Sequence, residues 1–351
     1  MMKDFGKYLI SYQATIREAL VRLNGLSSDI LVLFIVNEKM QLIGTLTDGD
    51  IRRGLISGKN IEDKVTLFCK KEFHFLDEHC LYDISKIKEF RDKKIKLVPF
   101  VDENGCIKRV YNFAERKTIL PVDAVLMAGG RGERLRPLTD ETPKPMLKIG
   151  NKPIIEHNID NLVMHGIDNY YISVNYLAEQ IEDYFKDGEQ KGINISYIRE
   201  NKPMGTIGSI SLVEAFKNDI VLVMNSDLFT NINYEDFYMD FIESGADLAV
   251  ASIPYNISIP YAILNLKDNF ITSFEEKPSY TYYANAGIYL VKTHILSRIP
   301  QDRVFHATDL LQLLISEGKK VVKYPILGYW VDIGKHEDLN KVREFTKHII
   351  F

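Results

Sequence analysis

Apolar and polar positions follow two different rhythms along the 351 residues of this chain. In the C-terminal two thirds, short apolar runs at 122–127, 170–174, 195–198, 220–224 and 248–253 read as strands covered on both faces. Between them apolar residues recur at helical spacing, with Ile155, Ile159, Leu162 and Val163 in one stripe and Leu177, Ile181 and Phe185 in another. Strands alternating with helices predict an α/β fold with a mostly parallel, Rossmann-like sheet and helices on both faces. Ligands gather at the carboxyl ends of the strands in such a sheet.

The N-terminal third has a different grain. Ile35-Val-Asn-Glu-Lys-Met-Gln-Leu42 aligns with Phe100-Val-Asp-Glu-Asn-Gly-Cys-Ile107 at an offset of 65 residues, each reading as strand, acidic turn, strand. An amphipathic helical stretch precedes each copy, with Ile16, Ala19, Leu20 and Leu23 marking the first. Pro99 inside the second copy predicts an edge strand, or one that begins there. Near residue 120 the charged Glu115-Arg-Lys117 gives way to Pro121 and an apolar strand. The expected division is therefore 1–60 for the first repeat, 61–118 for the second and 121–351 for the α/β domain.

Composition narrows the classes without choosing among them. Apolar residues make up 46% and charged residues 26%, as in a soluble globular protein, and a net charge of -4 gives no sign of nucleic-acid binding. Met1-Met-Lys-Asp-Phe-Gly has no extended apolar core, and no run of about 18 apolar residues occurs, so neither export nor membrane spanning is expected. Cys69, Cys80 and Cys106 form no C-x-x-C pair, which argues against a disulfide framework or zinc site and fits a cytoplasmic setting.

Chemistry enters at the end of the first α/β strand. There Gly129, Gly130 and Gly132 allow a sharp turn that can bring backbone N–H groups against a polyanion, while Arg131, Arg134, Arg136 and Lys144 concentrate positive charge. No Gly-Lys-Ser/Thr follows, so this is not a P-loop, and Leu135 stands where a dinucleotide fingerprint needs its third glycine. The run reads Gly-x-Gly-x-Arg-Leu-x-Pro, five residues, Pro-Lys-Pro.

That run resembles the sugar-1-phosphate nucleotidyltransferases over about residues 121 to 345. The resemblance implies a loop, Ala128, Gly129, Gly130 and Gly132, wrapped around a nucleoside triphosphate, with Arg134 and Lys144 gripping its phosphates while a sugar 1-phosphate attacks the α-phosphorus. It assigns a Mg2+ ion to Asp227, at the end of Ile220-Val-Leu-Val-Met-Asn-Ser-Asp227, and to Asp332 in Tyr329-Trp-Val-Asp332. Magnesium takes one or two protein carboxylates and fills its octahedron from water and phosphates, so two suffice. By the same likeness Gly205, in Pro203-Met-Gly205-Thr-Ile-Gly208-Ser, lies beside the base, and Glu276, Lys277, Asn285 and Gly287 form the sugar-phosphate pocket. Arg134, Lys144, Asp227 and Lys277 are the expected catalytic set. Ala262 departs from the family, which commonly has glycine there.

The N-terminal repeat is similar to a tandem pair of cystathionine β-synthase (CBS) modules, with Thr47 and Asp50 of Gly44-Thr-Leu-Thr47-Asp-Gly-Asp50 at positions that contact the ribose of an adenine nucleotide. The second copy has Asn112 and Glu115 instead. Asp48 and Asp50 also suit a helix N-terminus with no ligand at all. The combination resembles guanylyltransferases that make GDP-glucosamine for legionaminic acid, which implies GTP and glucosamine 1-phosphate as substrates and a homo-oligomer. UTP, dTTP and CTP stay open as donors, and a catalytically inactive nucleotide sensor is the alternative of another class.

Overall fold

The chain divides into two units, of which the first takes Met1–Leu120 with Met164–Gly166 and Gln190–Ile193, and the second the remainder. The computed structural model describes residues 5–26 and 29–347. Met1–Asp4, part of the segment read for an export signal, and residues 348–351 of the expected α/β domain lie outside the described residues.

In the first unit β1 (Leu9–Ser11) runs parallel to β2 (Val32–Val36), which pairs antiparallel with β3 (Leu42–Thr47). Helix α1 (Ile16–Gly25) lies between β1 and β2 in sequence, and α2 (Asp48–Ile56) follows β3. Both start in capping boxes: the hydroxyls of Thr15 and Thr47 accept from the amides of Glu18 and Asp50, whose carboxylates accept from the threonine amides. The second half repeats helix, strand and strand as α3 (Ile84–Asp92), β4 (Leu97–Val101) and β5 (Ile107–Asn112). No helix follows β5, although Asn112 donates to Glu115 at the Thr47–Asp50 spacing. The two turns meet at a bridge between Gln41 and Cys106, which are equivalent residues of the repeat.

Of the two expectations for Pro99 the first holds: β4 begins two residues earlier, at Leu97, and is an edge strand, one of the two strands of its sheet. The Pro99 carbonyl accepts from the Leu76 amide, so its nitrogen faces the Leu76 side and the ladder to β5 loses no donor.

The second unit is built on β6 (Asp123–Met127), which leads through a short pair, β7 (Lys148–Ile149) and β8 (Lys152–Pro153), into α4 (Ile154–Met164). Then come β9 (Asn169–Val174), α5 (Ala178–Phe185), β10 (Asn194–Arg199), β11 (Ile220–Asn225), β12 (Leu228–Thr230) and α6 (Tyr234–Ser244). Leu177 stands outside α5 as a left-handed N-cap residue, so the second expected stripe starts one residue late. The chain continues as β13 (Leu248–Ser258), β14 (Ile263–Lys267), β15 (Phe270–Glu275), β16 (Ser279–Lys292) and α7 (Thr293–Leu296). It ends with α8 (Ala307–Ser316), β17 (Val321–Pro325), β18 (Trp330–Asp332) and α9 (His336–Lys347).

The central sheet has the order β10-β9-β6-β11-β16-β13-β17. Four neighbouring strands, β10, β9, β6 and β11, run parallel, and only β16 opposes the rest. All residues of β11 but the last are buried, as a strand covered on both faces requires. One apolar cluster packs Val125, Val221 and Val223 against Ile295, Leu310 and Leu314. Another joins Leu135, Leu147, Phe229 and Ile333 with Leu339 and Val342 of α9.

Candidate functional site

Four parallel strands end at one cleft of about 850 Å³. β6 delivers Met127 and the glycine loop, β9 delivers Asn175, β10 delivers Glu200 and the segment to Thr206, and β11 delivers Asn225, Ser226 and Asp227. The size suits a nucleotide-scale ligand. Within the loop, Gly132 adopts φ +63°, and a Cβ there would lie 2.9 Å from the Cβ of Lys144. Glycine is required at that point by both backbone and packing. Ala128, Gly129 and Gly130 line the same wall.

The charged groups are drawn together by the second apolar cluster. Leu135 follows Arg134, Leu147 follows Lys144 by three residues, Phe229 follows Asp227 by two and Ile333 follows Asp332. Burying these neighbours in one core fixes the side chains beside them. The Lys144 ammonium pairs with Asp227 and stands 3.7 Å from Asp332. β12 and β18 pair Leu228 with Asp332, and the Ile333 amide donates to the Asp227 carbonyl. The Arg134 guanidinium lies beside Gly334, where a Cβ would be 3.6 Å from it. The turn carrying Asp227 is held from below by Asn158 of α4, whose amide donates to the carbonyls of Ser226 and Leu228.

Two features of this cluster fit a hard divalent cation. The second oxygen of Asp227, Oδ1, is buried without a hydrogen-bond partner, a costly arrangement for a carboxylate unless an ion completes it. Burial, and after it the neighbouring Asp227, push the Asp332 carboxyl above the ordinary carboxylate range, against the pull of Lys144 and Arg134. No cluster of three or more potential metal-ligating side chains occurs among the described residues, so any ion here would draw on phosphate oxygens and water.

The sugar-side residues are split. Gly287, at φ +72°, is packed so that a Cβ would lie 2.7 Å from the Asn225 side chain, and Asn285 accepts from the Gly287 amide and donates to the Tyr289 hydroxyl. Gly287 thus packs against Asn225 of the cleft wall, and neither it nor Asn285 lines the cleft itself. Glu276 and Lys277 sit elsewhere, exposed on a projecting ribbon, and neither lines the cleft. Their placement departs from the expected pocket because β13 and β16 continue as a paired ladder well past the sheet.

Gly205 lines the cleft as well, and a Cβ there would lie 2.5 Å from the Phe305 carbonyl oxygen, so the close approach it allows is to protein backbone. Glu200 went unremarked in the sequence: its carboxylate accepts from the Ser173 hydroxyl at 2.6 Å and the Met204 amide at 3.2 Å while facing the cleft. Only its position directly after an apolar strand could have marked it.

Residues 123–348 match the nucleotidyl transferase family model. The chain belongs to that family. It is 31% identical over 231 residues to the bifunctional protein GlmU of Methanocaldococcus jannaschii, and 31% identical over 226 residues to the mannose-1-phosphate guanylyltransferase of Mycobacterium tuberculosis. These alignments take in 64% and 62% of the chain, and 54% and 62% of the two relatives. A crystal structure from Bacillus anthracis, described as a glucose-1-phosphate thymidylyltransferase and solved with sucrose, superposes with a TM-score of 0.54 at 25% identity. That match covers 66% of this chain and 97% of the solved chain. The last two names differ both in the nucleotide transferred, guanylyl or thymidylyl, and in the sugar phosphate, mannose or glucose.

The first unit holds a separate cleft of about 460 Å³, lined by Thr47, Asp50 and several lysines, among them Lys70, Lys93 and Lys96. Thr47 and Asp50 bind each other there. Burial would raise the Asp50 carboxyl, but hydrogen bonds from the hydroxyl and amide of Thr47 and from Arg53, with the charge of Lys70, hold it below its ordinary range.

Proposed function

We propose that this chain transfers a nucleoside monophosphate from a triphosphate to a sugar 1-phosphate, releasing pyrophosphate. The single observation that carries the reading is the convergence of Arg134, Lys144, Asp227 and Asp332 beside a glycine loop at the ends of four parallel strands. The sugar phosphate oxygen is ionised at neutral pH, so it needs no general base. It forms a bond to the α-phosphorus as the bond to the β-phosphate oxygen breaks, and the electron pair leaves with pyrophosphate. Arg134 and Lys144 offset the charge that grows on the leaving group, and the loop amides orient it. Asp227 and Asp332 would hold a Mg2+ ion, which would supply charge neutralisation between the two substrates.

Guanine is the base we favour, on the strength of Glu200. An ionised carboxylate only accepts hydrogen bonds, and guanine alone among the four candidate bases offers two adjacent donors, N1–H and N2–H2, on its pairing edge. Uracil and thymine offer a single ring N–H between two carbonyls. Glu200→Gln is expected to lower kcat/KM for GTP about 30-fold while changing that for UTP or dTTP less than about threefold, since a lost charge-assisted bond costs on the order of 2 kcal/mol. Equal losses for all four triphosphates would refute the assignment.

The sugar we favour is glucosamine 1-phosphate, as in legionaminic acid biosynthesis, because a repeat resembling paired CBS modules precedes the transferase unit. Pyrophosphate release measured with each of four triphosphates against a panel of sugar 1-phosphates tests the whole reading. The largest rate is expected for GTP with glucosamine 1-phosphate, and no release with any pair would end it. In the first unit, Thr47 and Asp50 with the surrounding lysines suit an adenine nucleotide. Calorimetry with AMP, ADP and ATP should give a saturable heat that Asp50→Ala removes, and no heat with all three would leave that unit structural.

A further inference from the structure

Asn158 stands where the pattern of α4 calls for an apolar residue. It follows Ile154 by four positions and Ile155 by three, which sets it on the stripe that buries Ile159 and Leu162, and it is only 3% exposed. Leucine would suit both the helix and the core better. A buried amide costs free energy unless it is hydrogen-bonded, and the Asn158 Nδ2 donates to the carbonyls of Leu228 at 2.9 Å and Ser226 at 3.3 Å, one on either side of Asp227.

Those two bonds act on the direction of the Asp227 side chain. The two peptide planes that meet at its Cα carry the carbonyls of Ser226 and Asp227, and pinning both planes fixes φ and ψ there and with them the Cα–Cβ bond. Asn158 holds the first plane, and the Ile333 amide holds the second at 3.2 Å. The Ser226 amide and hydroxyl both donate to the Met127 carbonyl, at 3.2 and 2.6 Å, which ties the same turn to the end of β6. The frame aims a carboxylate with one oxygen on Lys144 and the other, Oδ1, buried without a partner. Asn158 itself does not line the cleft.

We propose that Asn158 is a positioning residue for the divalent ion, raising its affinity by holding the Asp227 carboxylate in the orientation that receives it. This rests on the assignment of an ion to Asp227. A carboxylate already aimed loses little freedom when an ion binds, and groups that hold a ligand from behind typically contribute roughly 10- to 100-fold of metal affinity. A purely structural amide would behave differently. Its loss would lower the melting temperature and leave the affinity for the ion unchanged.

The test compares the full-length wild type with Asn158→Leu and Asp227→Asn. Leucine has nearly the shape of asparagine and lacks the donor. Mn2+ binding, followed by water-proton relaxation, should weaken about 10-fold in Asn158→Leu and be lost in Asp227→Asn. The magnesium concentration for half-maximal pyrophosphate release should rise by about the same factor in Asn158→Leu, while KM for the sugar 1-phosphate stays within about twofold of wild type. A lower melting temperature with Mn2+ affinity and magnesium dependence both within about twofold of wild type would overturn the inference, because Asn158 would then serve only the core. Should Asn158→Leu not fold, Asn158→Ser, which leaves room for a water at the two carbonyls, takes its place with the same expectations. The two readings fail differently. A wild type that neither binds Mn2+ nor needs magnesium removes the ion and the role of Asn158 with it. A wild type that does both, with binding lost in Asp227→Asn and unchanged in the Asn158 variant, removes the role of Asn158 alone.

Discussion

Asp227→Asn is expected to cut pyrophosphate release about 1,000-fold or more, with the fold intact and little recovery at high magnesium concentration. The residue is almost isosteric, so the turn between β11 and β12 keeps its shape and its Asn158 clamp. What disappears is a negative charge with one oxygen on Lys144 and the other buried without a partner. A neutral amide binds a hard cation far more weakly, and losing charge neutralisation between two polyanions costs about 4 kcal/mol or more in the transition state. Asp332→Asn should cost less, about 100-fold, because that side chain is partly exposed and makes the longer contact to Lys144. Steady-state rates over a magnesium titration, with a thermal melt to confirm folding, decide the matter. Turnover of Asp227→Asn within about threefold of wild type would remove the metal assignment.

The sheet was legible in the sequence wherever burial on both faces left a continuous apolar run, as in Val125, Val221 and Val223. Local composition says little about pairing partners. β16 opposes every neighbour and separates β11 from β13, and nothing in the period of its residues encodes that order. The site divides in the same way. Gly132, Arg134 and Lys144 lie within one contiguous motif and could be read together, and Asp227 stands after an apolar strand. Asp332 reaches them through packing of Leu135, Phe229 and Ile333, contacts made across some two hundred positions and invisible to any short window. Glu276 and Lys277 show the converse: their motif was plain, but the ribbon that carries them depends on how far one ladder extends.

Lys144→Met should be nearly as damaging to turnover as Asp227→Asn, and it should leave a distinct signature in stability and pH. The Lys144 side chain is 11% exposed and pairs with Asp227 while standing near Asp332. Methionine keeps much of the stem's packing but leaves two neighbouring carboxylates without their cation. Breaking such a pair costs on the order of 3 kcal/mol when no divalent ion is present. Added magnesium should restore more of this loss than it adds to the wild-type protein, because binding to the folded state alone shifts the melting temperature. The pH dependence has a definite sign. Burial and Asp227 already raise the Asp332 carboxyl, and Lys144 opposes them. Without that ammonium the carboxyl rises further and keeps its proton to higher pH, so protons compete with the metal over a wider range. The acid limb of the rate profile should move upward in Lys144→Met, and magnesium affinity should weaken as pH falls through that range. An acid limb at the wild-type position, together with an unchanged melting response to magnesium, would show that Lys144 acts on the phosphates alone and leaves the carboxylate pair untouched.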